Sequence, residues 1–380
     1  MTYHCTLCYR RYKSTELRWR CDCGGVLELE RPHYSGQFCD TSATGVWRYP
    51  WLLPEIDPNS RISLGEPTTP LVLSSFLDAH LKLDYLLPSG SYKDRGATVM
   101  VSHLYRHRVD KATLDSSGNA GAAVATYCGA AEIACEVFVP ASNSPGKLAQ
   151  ISALGASLRR IPGTRLDTTI AAQNAANGGF YASHNWSPEF EAGLSTVAAE
   201  IYEQLDGRAP TTVLAPCGNG GVILGLHRGF DALMRAGLIP KLPQLVAVQS
   251  ASFDAVAHAV ASKCEEVEPR GTGQATIAEG IACNRPIRWR QLLHAIRASG
   301  GDAITVTESE IIEMVIELAA HGIFVEPTGA VGAAGLRRIR DGAVWDLGDL
   351  PVVILTGSGL KAAAKIAELR DPNWLSGKSR

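Results

Sequence analysis

One lysine stands in a setting that could give it nucleophilic chemistry. The string Ser89-Gly90-Ser91-Tyr92-Lys93-Asp94-Arg95-Gly96 places Lys93 after a small-residue turn and at the start of a predicted helix. An amine that attacks a carbonyl to form an imine must shed its proton part of the time. A helix N-terminus and partial burial both lower its pKa in that direction. A solvated helix-cap lysine paired with a neighbouring acid would leave the same local pattern. Three glycine-rich turns add a second kind of chemistry: Ser116-Ser117-Gly118-Asn119-Ala120-Gly121, Cys217-Gly218-Asn219-Gly220-Gly221 and Thr356-Gly357-Ser358-Gly359. Each follows a predicted strand and opens a predicted helix, where unpaired backbone amides can face an anion and glycine permits close approach. None is a nucleotide fingerprint, since G-x-x-x-x-G-K-[ST] is missing and Gly-Asn-Gly-Gly lacks the spacing of G-x-G-x-x-G. A tight strand-to-helix connection would explain any one of these turns alone.

Thiols crowd the start of the chain. Cys5-x-x-Cys8, twelve residues, then Cys21-x-Cys23-Gly24-Gly25 resembles a zinc ribbon. Four thiolates make a closed structural site with no position open to water. The second arm, C-x-C, is shorter than the usual C-x-x-C knuckle, so a reduced, metal-free ribbon is the alternative. Cys39 falls outside the set, and Cys128, Cys135, Cys217, Cys264 and Cys283 are scattered singly, as core residues usually are. His103 and His107 lie one helical turn apart but lack the Glu and third ligand of a metalloprotease, so an exposed helix face is expected. Arg337, Arg338 and Arg340 sit late in a predicted helix, where positive charge suits the dipole.

The elements that would carry these residues alternate. Candidate strands are Leu83–Leu87, Ala134–Val139, Ser157–Ile161, Thr212–Ala215, Leu245–Gln249, Ala303–Val306 and Val352–Leu355. Helical patterns fall at Ala97–Arg106, Ala120–Gly129, Leu148–Leu154, Thr196–Leu205, Val222–Met234, Glu308–Ala320 and Leu360–Leu369. Strand–helix alternation implies parallel sheets with helices on both faces, and continuous apolar runs such as Pro351-Val352-Val353-Ile354-Leu355 suit strands buried on both sides. The expected class is α/β. Pro50, Pro54, Pro58 and Pro67 punctuate an entry segment after the cysteine module.

Composition narrows the partners. The 380 residues are 46% hydrophobic and 19% charged, with a net charge of −2, as in a soluble globular chain large enough for more than one lobe. With no basic stripe, neither nucleic acid nor an anionic membrane surface is an expected partner. No apolar run reaches a membrane span, and the polar first residues do not read as a secretion signal. The cysteines then read as reduced thiols of a cytoplasmic protein acting on a small molecule.

Taken together and in order, the motifs resemble those of fold-type-II pyridoxal-phosphate enzymes, especially the threonine synthase group. SGSYKDRG resembles their lysine motif, SSGNAGAAVA their substrate-carboxylate loop and APCGNGGVILG their cofactor-phosphate loop. SLGEPTTPL, TIAEGIA (Thr276–Ala282), GIFVEPTGA (Gly322–Ala330) and LTGSGLK (Leu355–Lys361) follow the family order. The likeness runs from about Ser63 to the end. It implies two three-layer lobes with parallel sheets and pyridoxal 5'-phosphate between them, plus the small cysteine module. The divisions would be residues 1–45 for the module, 46–96 with 191–380 for the large cofactor lobe, and 97–190 for the small substrate-side lobe. It implies that Lys93 forms the Schiff base and then moves protons, and that Asn119 meets the ring oxygen. Gly218, Asn219, Gly220, Gly221 and Val222 would hold the phosphate, and Thr356 would meet the pyridine nitrogen. Ser116, Ser117 and Ala120 would take the substrate carboxylate, and His184 and Asn185 the leaving group. Glu279 lies in a matching loop. A homodimer and a structural zinc on Cys5, Cys8, Cys21 and Cys23 also come from the resemblance.

The implied activity is elimination or replacement at the β or γ carbon of a small amino acid. Within it, a threonine-synthase reaction, a cysteate- or cysteine-synthase β-replacement and a serine/threonine-type β-elimination compete. A non-catalytic zinc-ribbon or cofactor-binding regulator is the rival outside enzymes, disfavoured by the intact Lys93, Asn119 and glycine loop. O-phosphohomoserine is expected to be a poor substrate. Where threonine synthases carry an arginine and a lysine to grip the phosphate, the matching stretch has Phe190 and Ser195, and Ser358 replaces an expected histidine. Glu189 and Glu191 would repel the dianion, and Arg165 is the alternative guanidinium.

Overall fold

The computed structural model describes residues 1–143, 145–342 and 345–370. In chain order its regular elements are β1 (Thr2–Cys5), β2 (Arg11–Lys13), β3 (Leu27–Leu29), β4 (Leu71–Ser74), β5 (Ala79–Lys82), α1 (Lys93–Arg106), β6 (Lys111–Leu114), α2 (Asn119–Ala130), β7 (Ala134–Pro140), α3 (Pro145–Ala153), β8 (Ser157–Ile161), α4 (Arg165–Ala175), β9 (Phe180–Tyr181) and α5 (Pro188–Gln204). There follow β10 (Thr212–Pro216), α6 (Gly221–Arg235), β11 (Gln244–Ser250), α7 (Ala255–Ala261), α8 (Trp289–Ala298), β12 (Asp302–Val306), α9 (Glu308–Ala320), α10 (Pro327–Gly342), β13 (Pro351–Ile354) and α11 (Ala363–Arg370). Among the described residues no helix is long and apolar enough to cross a membrane.

The chain divides into two compact units, one of Met1–Thr68 with Lys93–Val197 and the other of Thr69–Tyr92 with Ala198–Arg380. The first holds an antiparallel ribbon ordered β2-β1-β3 and a parallel sheet ordered β8-β7-β6-β9. Helices α2 and α4 both pack on β7. Residues 46–68 belong to this unit because they pack on α1. Val46, Trp47, Leu53 and Ile56 cluster with Val99, Ile62 N donates to Ser102 Oγ at 2.8 Å, and Thr98 Oγ1 donates to the Ile62 carbonyl.

The second unit is built on a six-stranded sheet ordered β12-β11-β10-β13-β5-β4, parallel apart from the β4–β5 hairpin. Every residue of β10 and β13 is buried, as strands covered on both faces must be. Helix α10 lies along β10 to β13. Among the buried polar groups of this interior is Lys82, fully buried at the end of β5, whose ammonium donates to Glu200 Oε1 (2.6 Å), Gln204 Oε1 (2.7 Å) and the Thr69 carbonyl (2.6 Å). A buried charge persists only when paired and hydrogen-bonded in this way. The arginines late in α10 act across helices rather than on the dipole alone: Arg338 pairs with Glu310 of α9 at 2.9 Å, and Arg337 with Glu317.

One expected strand is displaced. Leu83–Leu87 is not a strand; β5 precedes it, and Asp84–Leu86 form a single 3-10 turn. Leu360–Leu369 opens with a 3-10 turn at Gly359–Ala362 before α11 begins.

Candidate active site

Lys93 is the first residue of α1. Its predecessor is held from the other side of the chain: Tyr92 N donates to the Thr356 carbonyl at 3.0 Å, and Ser91 bridges Gly357. The hairpin-like contact fixes where the lysine leaves the strand layer. Part of the Lys93 side chain remains accessible, yet protein surrounds it closely enough that desolvation pushes its ammonium down to about 7. Such an amine is available as a nucleophile near neutrality. Its Nζ lies 5.8 Å from the ring centroid of Phe190.

Phe190 and His184 complete this side of the first unit. Phe190 is 1% exposed and lies flat on Gly96, where a Cβ would fall 2.3 Å from its Cδ1. Only glycine admits the ring there. The His184 ring stands 5.9 Å from that of Phe190. Burial, then the charges of Lys93 and Arg165, hold its imidazole well below the usual range, so it is neutral. Asn185 follows it in the same loop. The Ser116–Ser117 turn is braced from Asp115, which accepts from Tyr181 Oη at 2.6 Å, Thr169 Oγ1 at 2.5 Å and Arg165 at 3.0 Å. Asn119 and Ala120 open α2, capped by Gly118 in an extended conformation with no side-chain cap.

The second unit supplies an anion cradle. Cys217 ends the β10 layer, buried with its thiol pushed up by burial, a packing residue as expected. Gly218, Asn219 and Gly220 then lead into α6, whose first residues are Gly221 and Val222. Gly220 has φ +80°, and a Cβ on it would strike Leu292 Cδ2 at 2.7 Å, so the turn that aims these amides requires glycine. The Asn219 Oδ1 accepts from Cys283 Sγ at 3.5 Å. At the end of β13, Thr356 is 2% exposed and its Oγ1 has no hydrogen-bond partner in the structure. An unpartnered buried hydroxyl beside a cradle of amides is the donor set a phosphorylated heteroaromatic would satisfy. Glu279, in the loop whose Gly280 and Ile281 pack against Gly218, is half exposed and lies 3.7 Å from Lys365.

The four ribbon thiols converge. Cys5, Cys8, Cys21 and Cys23 place their sulfurs within 4.8 Å of one another, with Cys5–Cys23 and Cys8–Cys21 at 3.5 Å. Zn–S bonds of about 2.3 Å in a tetrahedron give S–S edges of roughly 3.8 Å, so this set fits a single zinc despite the short C-x-C arm. Tyr12 Oη lies 3.0 Å from Cys21 Sγ, and hydrogen bonding draws that thiol down to about 6 against its burial.

Two groups had no signal in the sequence. His103 is buried, not on an exposed face: its Nε2 lies 3.9 Å from Glu189 Oε1. Glu189, 1% exposed, accepts from Tyr3 Oη and from Ser187 Oγ (2.8 Å). It is therefore turned toward β1 and is not a free charge repelling an anion. These partners lie too far apart in sequence for spacing to reveal them. Asp115, immediately before the Ser116–Ser117 turn, was placed to be noticed.

Lys93, its amine drawn down toward neutrality, heads α1 in the first unit, and a glycine turn heads α6 in the second. The chain belongs to the family described as pyridoxal-phosphate dependent enzyme, which it matches over residues 62–357. It is 32% identical to a threonine synthase of Methanocaldococcus jannaschii over 95% of this chain and 93% of that one. It is 31% identical to the threonine synthase of Methanosarcina acetivorans, over 94% and 92%. Among solved structures it is similar to maize serine racemase (TM-score 0.69, 20% identity, 83% of this chain and 99% of that one). It is also similar to threonine deaminase isoform 2 of Solanum lycopersicum (TM-score 0.67, 20% identity, 90% and 99%). The fold is thus that of the fold-type-II enzymes, and the chain is a pyridoxal-phosphate-dependent lyase or synthase.

Proposed function

We propose that the enzyme carries out elimination or replacement at the β or γ carbon of a small amino acid whose leaving group is smaller or less charged than phosphate. Pyridoxal phosphate, when bound, supplies an electron sink for negative charge at the substrate α-carbon. Lys93 would hold it through its amine and would move the proton at the substrate α-carbon; its lowered pKa suits both tasks. The amides of Gly218, Asn219, Gly220, Gly221 and Val222 hold the phosphate, Asn119 keeps the ring oxygen in place, and Thr356 meets the ring nitrogen with a hydroxyl. A hydroxyl there does not force that nitrogen to carry a proton, which favours elimination and replacement. Ser116, Ser117 and Ala120 receive the substrate carboxylate. His184, neutral, and Asn185 hydrogen-bond the leaving group without adding charge.

The observation that carries the choice of leaving group is the state of three positions. Phe190 fills its place with a ring on Gly96. Ser195 is buried and donates to the Ala192 carbonyl at 2.7 Å. Ser358 Oγ accepts from Leu360 N at the 3-10 turn. None offers a cation to a phosphate. Arg165, the other guanidinium nearby in sequence terms, has its NH2 engaged by Asp115. Losing charge-assisted, bidentate contacts to a dianion removes both affinity and orientation. Steady-state kinetics with O-phosphohomoserine test the reading: phosphate release stays below an ordinary enzymatic efficiency of roughly 10⁴ M⁻¹s⁻¹, and reaching that value overturns it. A visible-band screen against L-serine, L-threonine and O-acetyl-L-serine identifies the better substrate.

A further inference from the structure

The cysteine ribbon touches the substrate-side loops at two separate places, through residues beside its thiols. Tyr3, two residues before Cys5, is fully buried and donates its phenol to Glu189. Glu189 in turn accepts from Ser187 Oγ, the same hydroxyl that accepts from Phe190 N at 3.1 Å and so caps α5. Trp19, two residues before Cys21, meets Tyr181 edge-on at 4.8 Å and Trp186 at 5.4 Å. Tyr181 is the residue whose phenol fixes Asp115 ahead of the Ser116–Ser117 turn. One contact therefore leads to Phe190 beside Lys93, and the other to the turn assigned to the substrate carboxylate.

The ribbon's own apolar core is small. Its buried core consists of Tyr3, Cys5, Tyr12, Cys21, Leu27 and Leu29, two of them thiols of the cluster. A module this small depends on its metal for order. We propose that Tyr3 and Trp19 are positioning residues through which the metal-ordered ribbon sets the geometry of the His184–Phe190 loop and the Ser116–Ser117 turn. Ribbon and substrate loops then form one cooperative patch, and loss of the metal loosens the loops without touching Lys93. The inference rests on reading those loops as the substrate side of Lys93.

Hydrogen–deuterium exchange on the zinc- and pyridoxal-phosphate-loaded chain tests it. In Tyr3→Phe and in Trp19→Leu, amides within residues 181–190 exchange about tenfold faster or more, as expected for a local opening freed of a buried contact. Strands β10 to β13 and the zinc content stay as in the wild type. Tyr3→Phe combined with Glu189→Gln recovers most of the protection, because a neutral amide does not need the phenol. Unchanged protection of residues 181–190 in both single variants overturns the proposal, and so does a loss spread evenly over the whole chain, which a merely structural role would give. If the cofactor reading itself is wrong, the wild type lacks a visible cofactor band, a failure distinct from either exchange result.

Discussion

The ring of Phe190 lies on the backbone of α1 at Gly96, closer than any side chain at that position would allow. The two residues come from helices 94 positions apart, and their fit sets how near an aromatic wall stands to Lys93. Gly96→Ala should therefore overpack the contact and cost about 1–3 kcal/mol of stability. Phe190→Leu in the same chain should return most of it. Urea denaturation of the single and double variants checks the coupling, and additive losses would show that the two positions do not share the contact.

Lys93 titrates near 7 because burial disfavours its charged form. The rate at which the apoprotein captures pyridoxal phosphate should rise with pH and level off just above neutrality, whereas an ordinary lysine, near 10.4, would keep gaining. Stopped-flow absorbance gives the profile. Linkage has the matching sign: between about 7 and the unfolded value only the unfolded chain still binds this proton, so the apoprotein gains stability as pH rises across that window and loses it as pH falls. Lys93→Met should flatten this component and abolish borohydride-stable attachment of the cofactor while the circular dichroism spectrum is kept.

Thr356 carries a buried hydroxyl without a partner. Replacing it by the near-isosteric valine should leave the apoprotein as stable or more so, by up to about 1–3 kcal/mol, since an unsatisfied group is removed. The same variant should retain pyridoxal phosphate less well, by about tenfold. Thermal unfolding with and without cofactor, with equilibrium dialysis, separates the two effects.

The ribbon should bind about one zinc per chain through its four thiolates. Cys8→Ser should lower that occupancy to near zero on elemental analysis while leaving the visible cofactor band, because no ribbon cysteine belongs to the Lys93 machinery.

The placement of Lys93 at the head of α1, of the glycine turn before α6 and of Thr356 after β13 is legible in the sequence because each sits in a short contiguous string whose backbone role is local. Strands such as β7 and β10 were legible for a similar reason, as largely apolar runs bounded by turn residues. Failures arose where distant partners decide. Leu83-Asp84-Tyr85-Leu86-Leu87 has the composition of a strand, yet the pairing goes to Ala79-His80-Leu81-Lys82, a segment made tolerable by Glu200 and Gln204 holding Lys82. His103 looked solvent-facing until Glu189 arrived beside it. Helix α4 carries a local signal of its start, the capping box of Thr164 and Asp167.

The pairing of β5 with β13 sets a condition on biosynthesis. His80 sits opposite Val352, so one edge of an early hairpin waits for a strand made roughly 270 residues later. At about 5–20 residues per second that is on the order of ten seconds to a minute of translation. Throughout it, β5 presents unsatisfied amides and carbonyls along a side that can template another chain. Shielding of this edge during synthesis is thus an expected requirement, as it is for β10, which also pairs with β13. A circular permutant that brings residues 69–92 next to residue 351 should emerge with less aggregation at high expression than the natural order.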